Sequence, residues 1–141
     1  MRYAYPIEVL EEPDGITVTS PDVPEMITGG WGDLAANLNA AKDALVTALS
    51  FYTDTDRPLP APSPARGRMV VTVPALVAAK LALHDAMLAS GLSNLELGRR
   101  LGVDEKAVRR LRDPLHRSHI DAVEQALRAL GKRIEVMVRA A

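Results

Sequence analysis

Apolar residues near the start of the chain alternate with other residues, and they are Tyr3, Tyr5, Ile7 and Val9. This alternation predicts a half-buried strand, and Pro6 places it at or near a sheet edge because proline has no N–H to donate. The turn signal at 12–15 and renewed alternation over 16–19 predict a hairpin, followed by a short segment at 26–28.

The apolar spacing then becomes helical. Five apolar residues recur at intervals of three and four, namely Leu34, Leu38, Ala41, Leu45 and Leu49. They predict a helix from about Asp33 to Tyr52 that covers one sheet face. Residues 54–68 are proline-rich and predict an extended connector outside the core, and 69–73 have the β-branched character of a strand returning to the sheet. These elements predict a first domain at 1–74.

The second half, 75–141, has helical spacing almost throughout. We expect one helix from Ala75 to about Ser90, ended by Gly91, and a last one capped by Ser118 and ended by Gly131. The stretch 93–113 between them has the spacing of a helix-turn-helix, with Ser93 as first cap. Gly98 is the small residue where the two helices cross, and Gly102 is the turn glycine. The apolar anchors are Leu97, Leu101, Val103, Val108 and Leu111.

The second helix of this motif leaves several charged residues outside its apolar set. Lys106, Arg109 and Arg110 lie where a recognition helix meets DNA, and Arg112 is assigned to the same basic group. Ser93 and Asn94 begin the first helix, where backbone N–H groups favour phosphate contacts. The alternative interpretation is a helical hairpin inside a core, with its arginines on a solvated face.

Charge is divided between the halves. Residues 1–74 contain 5 basic against 10 acidic side chains, a net of −5, whereas 75–141 contain 12 against 8, a net of +4.

The 141 residues and 48% hydrophobic content suffice for a core, and without cysteine a disulfide framework is excluded. The start shows no apolar signal region, and no apolar run approaches the roughly 20 residues of a membrane span, so we expect a cytoplasmic protein with no membrane partner.

Residues 132–139 alternate with period two and predict a C-terminal strand. Its partner is either the same strand of a second copy, which would give a homodimer or higher homo-oligomer, or a segment of its own chain.

No catalytic site is expected, because the acidic residues are scattered. His116 and His119 lack a third metal ligand nearby, so no metal or cofactor is predicted, and His84 is placed on the flank of a helix.

The order of elements and short strings resembles the HicB antitoxins of bacterial toxin-antitoxin pairs, in the subgroup with a C-terminal helix-turn-helix. The strings lie at 1–3, 12–15, 20–24, 40–49, 51–52, 59–64, 71–74, 120–123 and 129–132. This sequence departs from the family pattern at Glu25, where glycine is usual, and at 30–33, where Gly-Trp-Gly-Asp replaces a Thr or Ser helix cap.

The resemblance implies an α+β protein. A partial RNase H-like β-β-β-α-β domain would bind a small HicA-like ribonuclease toxin, and an all-helical, lambda-repressor/Cro-like domain with a C-terminal strand would bind double-stranded operator DNA. Asp22, Glu25 and Trp31 are the candidate toxin contacts, although a Trp before a helix more often packs on the core. The alternative function is a stand-alone repressor with a ligand-sensing N-terminal domain.

Overall fold

A computed structural model describes residues 2–141, so Met1, which begins the first matching string and the predicted first domain, lies outside the described residues. The chain is mixed α+β, with five helices and two small antiparallel sheets in the described part. In chain order the elements are β1 (Ala4–Pro6), β2 (Glu8–Glu12), β3 (Gly15–Thr19), β4 (Ile27–Gly30), α1 (Leu34–Asp54), β5 (Val70–Thr72), α2 (Ala75–Ser90), α3 (Asn94–Leu101), α4 (Glu105–Arg112) and α5 (Ile120–Ala129).

The first predicted strand is divided in two at Ile7. Before this residue β1 pairs antiparallel with β5, in the register Tyr5↔Val71, and after it β2 pairs with β3, in the register Val9↔Val18. The Ile7 N–H donates to the carbonyl of Met69 at 2.9 Å and so extends the contact with the β5 side. One continuous stretch therefore exchanges its pairing partner, and β4 completes the second sheet beside β3.

Helix α1 covers the sheets and forms the first core. Asp33 caps its start, because its carboxylate accepts from the Ala36 N–H at 2.9 Å. The predicted helix is confirmed, and it continues to Asp54. Its stripe packs on inward strand residues; fully buried members of this core include Tyr5, Val18, Met26, Ala41, Leu45 and Leu49.

The proline-rich connector contributes to the first core, which corrects the expectation that it lies outside. Leu59 is buried in that core. The Tyr5 hydroxyl donates to the Pro60 carbonyl at 2.8 Å, and Ser63 donates to Asp22 through both its N–H and its hydroxyl. The extended chain is therefore held along the first half by an apolar anchor and by hydrogen bonds.

Four helices form the second half, as predicted. Gly91 and Gly102 end α2 and α3 in the left-handed conformation, with φ of 70° and 72°. A Cβ on Gly98 would lie 2.6 Å from the Val103 carbonyl oxygen, so α3 and the turn after it approach closely only because this residue is glycine. Val103 itself is 43% exposed, so its assignment as a buried anchor is wrong.

Two further expectations for the second half are corrected. His119 and not Ser118 occupies the cap position of α5, without a side-chain cap hydrogen bond, and the Ser118 hydroxyl accepts from Lys80. Residues 132–141 form no strand in the single chain: Ile134 packs on the second core, whereas Val136 and Val138 are exposed. A strand requires a hydrogen-bonded neighbour, and the tail has none within the described part of its own chain.

Helix α2 belongs to both cores. Val77 and Leu81 pack into the first core, whereas Leu83 and Met87 pack into the second. Helix α3 leaves the direction of α2 at 110°. Within residues 2–141 no single helix is long and apolar enough to cross a membrane, and α2 with α3 reaches that length and composition only as a sharply bent pair.

Candidate nucleic-acid interface

Helix α4 presents a basic, solvent-exposed face. Lys106, Arg109 and Arg110 are all exposed, and Val108 faces the second core from the opposite side. Asp104 caps the helix through the Ala107 N–H at 2.7 Å. Arg109 also pairs with Glu105 one turn earlier, at 2.6 Å, which directs its guanidinium along the helix surface. The cations expected to meet DNA therefore share one accessible face.

A buried lysine holds the other end of α4. Lys80 of α2 is fully buried, and its ammonium donates to the carbonyls of Arg110 and Asp113 and to the Ser118 hydroxyl, at 2.7, 3.0 and 2.7 Å. Burial lowers the pKa of Lys80, and the charge of Asp113 partly offsets this. A cation at the C-terminal carbonyls of a helix is favourable, so Lys80 caps α4 from inside the protein.

The structure places Arg112 differently from the sequence prediction. Its side chain lies in the interior, and the whole residue is only 7% exposed. The guanidinium donates to Asn94 Oδ1, Asp56 Oδ1 and His84 Nδ1 at 2.7, 2.8 and 2.8 Å. Its Nε atom is buried without a hydrogen-bond partner in the described chain. Arg112 therefore belongs to the packing of the helices, and its prediction as a DNA contact is wrong.

His84 is fully buried beside Arg112, which corrects its placement on a helix flank. Its Nδ1 accepts from Arg112, so the proton resides on Nε2, which donates to the Arg57 carbonyl at 2.8 Å. Burial is the largest cause of the lowered pKa of His84, and the Arg112 charge acts in the same direction. Both contacts of the ring are satisfied by neutral imidazole.

The two predicted phosphate contacts differ in availability. Ser93 is exposed, and its hydroxyl accepts from the Glu96 N–H at 3.1 Å as the cap of α3. Asn94 is half-buried, with its carbonyl oxygen occupied by Arg112. A groove of about 610 Å³ separates this region from the end of α1, and its charged lining residues are Asp54, Asp56, Lys106, Arg109, Arg110, Arg112 and Asp113.

The candidate toxin contacts of the first half lie in different environments. Trp31 is 80% exposed, against the general expectation for a Trp before a helix. Ile27, on the adjacent edge strand β4, is exposed as well. Glu25 accepts from the Tyr52 hydroxyl at 2.7 to 2.8 Å, and Asp22 accepts from Ser63. Trp31 is thus free to contact a partner, whereas both acids also tie segments of the first half together.

Sequence reasoning missed Lys80 and Asp56, and it misplaced His84. Lys80 lies in an otherwise apolar helical stretch, at the spacing of buried neighbours, which is the signal that could have identified it. Among residues 2–141 no group of three or more metal-ligating side chains is close enough to hold an ion.

The amino-terminal part of the chain matches a known protein family over residues 2–82, and the family is described as the HicB-like antitoxin of bacterial toxin-antitoxin systems. The chain belongs to the HicB-like antitoxin family. One relative, antitoxin HicB of Pseudomonas fluorescens, is 43% identical over 143 aligned positions that cover 100% of this chain and 97% of its own. Antitoxin HicB 2 of Photorhabdus laumondii is 41% identical, over 94% of each chain.

Antitoxin HicB of Escherichia coli is 38% identical and covers 95% of this chain and 98% of its own. These HicB similarities extend beyond the family match into the four-helix second half. They support an antitoxin role, with a toxin as partner, for the whole of this chain.

Proposed function

We propose that this protein neutralises a small HicA-like ribonuclease toxin through residues 1–74 and represses its own operon by binding operator DNA through residues 75–141. The observation that carries the proposal is the separation of charge in a member of an antitoxin family. The half with net charge −5 contains the exposed Trp31, and the half with net charge +4 exposes three cations on one short helix.

The acidic half suits a toxin that grips RNA. Such an enzyme presents a basic surface to phosphates, and an acidic protein can compete for that surface. Trp31 supplies an exposed aromatic anchor, and Asp22 and Glu25 lie on the same half as further candidate contacts. We propose that these residues belong to the toxin interface, on a domain similar to a partial RNase H fold.

Co-expression tests the toxin half of the proposal. The full chain and the small basic protein encoded beside it should purify as a complex, and the chain should restore growth of cells that express that protein. Failure to form the complex and to restore growth would reject neutralisation. Trp31→Ala should weaken the complex. Phe51→Ala is the control, because Phe51 is an aromatic residue that is 48% exposed but lies on α1.

The second half suits a lambda-repressor/Cro-like helix-turn-helix. Helix α4 would enter the major groove with Lys106, Arg109 and Arg110, and the exposed Ser93 at the start of α3 would contact phosphate, with Asn94 beside it. Gel-shift titration against the non-coding DNA upstream of the gene pair tests this assignment. Arg109→Ala or Arg110→Ala should cost about 1 to 3 kcal/mol if that side chain reads a guanine.

The tail provides a candidate contact between copies. Val136 and Val138 lie on alternate positions and are 84% and 90% exposed, so a second tail could pair with them as a strand and bury both. A two-fold dimer would place two α4 helices on successive major grooves. Sedimentation should then show a dimer or higher homo-oligomer, and replacing both valines by lysine should give monomers. A monomeric unaltered protein would reject the pairing.

We propose that the chain is not an enzyme. Among its acidic side chains, Asp33 caps a helix, Asp56 pairs with Arg112 and Glu25 accepts from the Tyr52 hydroxyl. Incubating the purified protein with RNA and Mg²⁺ should yield no cleavage above that of a heat-denatured control. Metal-dependent cleavage that copurifies with the chain would contradict this.

A further inference from the structure

Arg112 joins four parts of the chain at one point. From the last turn of α4 it reaches Asn94 on α3, His84 on α2 and Asp56 just after α1, each within 2.8 Å. The Arg112 side chain is 9% exposed, whereas that of Asp56 is 68% exposed. The arginine thus lies at a buried junction, and its contact with Asp56 is the one that reaches the surface.

The segment after α1 is attached to the second half at two adjacent residues. Asp56 accepts from Arg112, and the Arg57 carbonyl accepts from His84, whose other nitrogen accepts from Arg112. Asp56 also has a positive φ of 51°, a conformation that few residues other than glycine adopt, although Asp tolerates it better than most. This conformation belongs to the C-terminal cap of α1, where the N–H groups of Asp56 and Arg57 donate to the carbonyls of Thr53 and Tyr52 at 3.4 and 2.9 Å.

We propose that Arg112 is a positioning residue that fixes the basic face of α4 relative to α1 through Asp56, so that operator binding depends on the first half of the chain. The proposal rests on the proposed operator binding. Arg112 lies two residues after Arg110, within the same short helix. Base-edge hydrogen bonds require donor-acceptor distances near 3 Å, so a small rotation of α4 would lose them while phosphate attraction persists.

The acidic groups in the groove could also act by repelling DNA, and this alternative predicts the opposite change in DNA affinity when Asp56 is removed. Asp54 and Asp56 both face the groove beside Lys106, Arg109 and Arg110. If their charges only repelled DNA, removing either one would tighten binding, and the two variants would behave alike. If Asp56 acts through Arg112, its removal weakens binding, and Asp54, for which no contact with Arg112 is seen in residues 2–141, does not share the effect.

The experiment compares Asp56→Ala with Asp54→Ala in the full-length protein, titrated with duplex DNA from upstream of its own gene pair. Both variants lose one negative charge. Alanine is strained at the positive φ of Asp56 and glycine is not, so Asp56→Gly checks that the difference comes from the lost contact with Arg112. Asp56→Ala should bind roughly two- to thirtyfold more weakly than Asp54→Ala. The slope of log affinity against log salt should be the same for both, because no phosphate contact is lost. Equal or tighter binding by Asp56→Ala would overturn the proposal.

Two arginine variants separate positioning from direct contact. Arg112→Gln removes the charge, and it should weaken binding without changing the salt slope. A slope lower by about one would instead identify a phosphate contact and overturn the proposal. Arg112→Lys keeps the charge without the planar fork, so it should recover only part of the affinity. Thermal unfolding of each variant checks that the fold is retained.

A measurement without DNA tests whether the contact with Asp56 holds α4 in place, independently of operator binding. Amide hydrogen exchange across 105–112 should be faster in Asp56→Ala than in Asp54→Ala, because α4 loses one of its attachments. Unchanged exchange would overturn the positioning role whatever the protein binds. If the exchange responds but the unaltered protein does not bind the duplex, the proposed operator binding fails and the positioning of α4 stands.

Discussion

The two halves of the molecule bury different kinds of polar side chain. The buried polar residues of the first half are all uncharged at neutral pH, namely Ser20, Asn37, Ser50 and Thr53. Those of the second half are Lys80, His84 and Arg112, each able to carry a positive charge. The first half therefore relies on an apolar core between helix and sheets, whereas the second half positions its short helices with charged groups and the carbonyls, amides and acids around them.

This difference follows from the size of the elements. Helix α1 has 21 residues and covers strands over a wide apolar face, whereas α3 and α4 have 8 residues each. Two turns of helix bury little apolar surface, so directional contacts from Lys80 and Arg112 supply the orientation that packing alone leaves open. The basic surface of the second half thus depends on basic residues inside it.

The largest expected effect is on the free energy of unfolding, and it tests whether helix α2 couples the two cores. Leu45→Ala in the first core and Leu97→Ala in the second each remove a fully buried leucine, and each should lower the free energy of unfolding by about 2 to 5 kcal/mol. Because α2 packs into both cores, we expect one cooperative transition in denaturant. Leu10→Ala, at an exposed strand position, is the control. Two separate transitions would show that α2 does not couple the halves.

The second prediction concerns the buried charge. Lys80→Met keeps the stem but removes the ammonium that donates to the carbonyls of Arg110 and Asp113 and to the Ser118 hydroxyl. Each carbonyl then keeps only its backbone N–H donor, and we expect a loss of about 3 kcal/mol. Ser50→Ala in the first half removes only a hydroxyl bonded to its own helix and should cost about 1 kcal/mol. Chemical denaturation measures both. Equal losses of unfolding free energy would contradict the greater dependence of the second half on its buried charged group.

A third prediction uses pH. The folded-state pKa of His84 lies below its ordinary value of 6.5, so the unfolded chain binds more protons and stability decreases as pH falls. The loss should begin near pH 6.5 and end below the folded-state pKa. Burial disfavours the protonated ring, and its Nδ1 would then face Arg112; the Arg57 carbonyl and the acids Asp85 and Asp56 oppose these effects only in part. Melting temperatures from pH 8 to 5 should show the decrease in the unaltered protein. It should be reduced in His84→Gln, and equal acid sensitivity in both would refute the assignment.

The smallest expected effect on stability is at Trp31. Since this side chain is 80% exposed, Trp31→Ala should change the free energy of unfolding by less than about 0.5 kcal/mol. The same variant should weaken binding to the toxin by about 2 kcal/mol or more if Trp31 is an interface anchor. Calorimetry of the purified variant with the toxin compares the two quantities. A large stability loss would show that Trp31 belongs to the fold.

The sequence predicted elements whose signal is local. The turn glycines, the close approach at Gly98 and the caps Ser93 and Gly91 each follow from backbone sterics or from a hydrogen bond within three residues, and the structure has them in place. The apolar stripe of α1 could be predicted because its residues recur at helical spacing along the chain. Such features depend on neighbours in the chain, so spacing identifies them.

The features that the sequence did not predict depend on distant neighbours. Arg112 is charged and is therefore expected at the surface, although it follows buried Val108 by four positions and so shares its side of α4; its partner Asp56 is 56 positions away. Leu59 looks like part of an exposed linker until Tyr5 and the first core are beside it. The tail alternates like a strand, but its ladder partner is absent from the described part of its own chain. Each depends on long-range contacts that periodicity does not encode.

The most direct test of the account separates the two proposed surfaces in one protein. A full-length variant with Lys106, Arg109 and Arg110 all replaced by alanine should lose binding to its upstream DNA, because these exposed cations form the basic face of α4. It should still form the toxin complex with unchanged affinity, since the proposed toxin surface lies on the acidic half. Retained DNA binding, or loss of both partners in a variant that remains folded, would contradict the division of function between the halves.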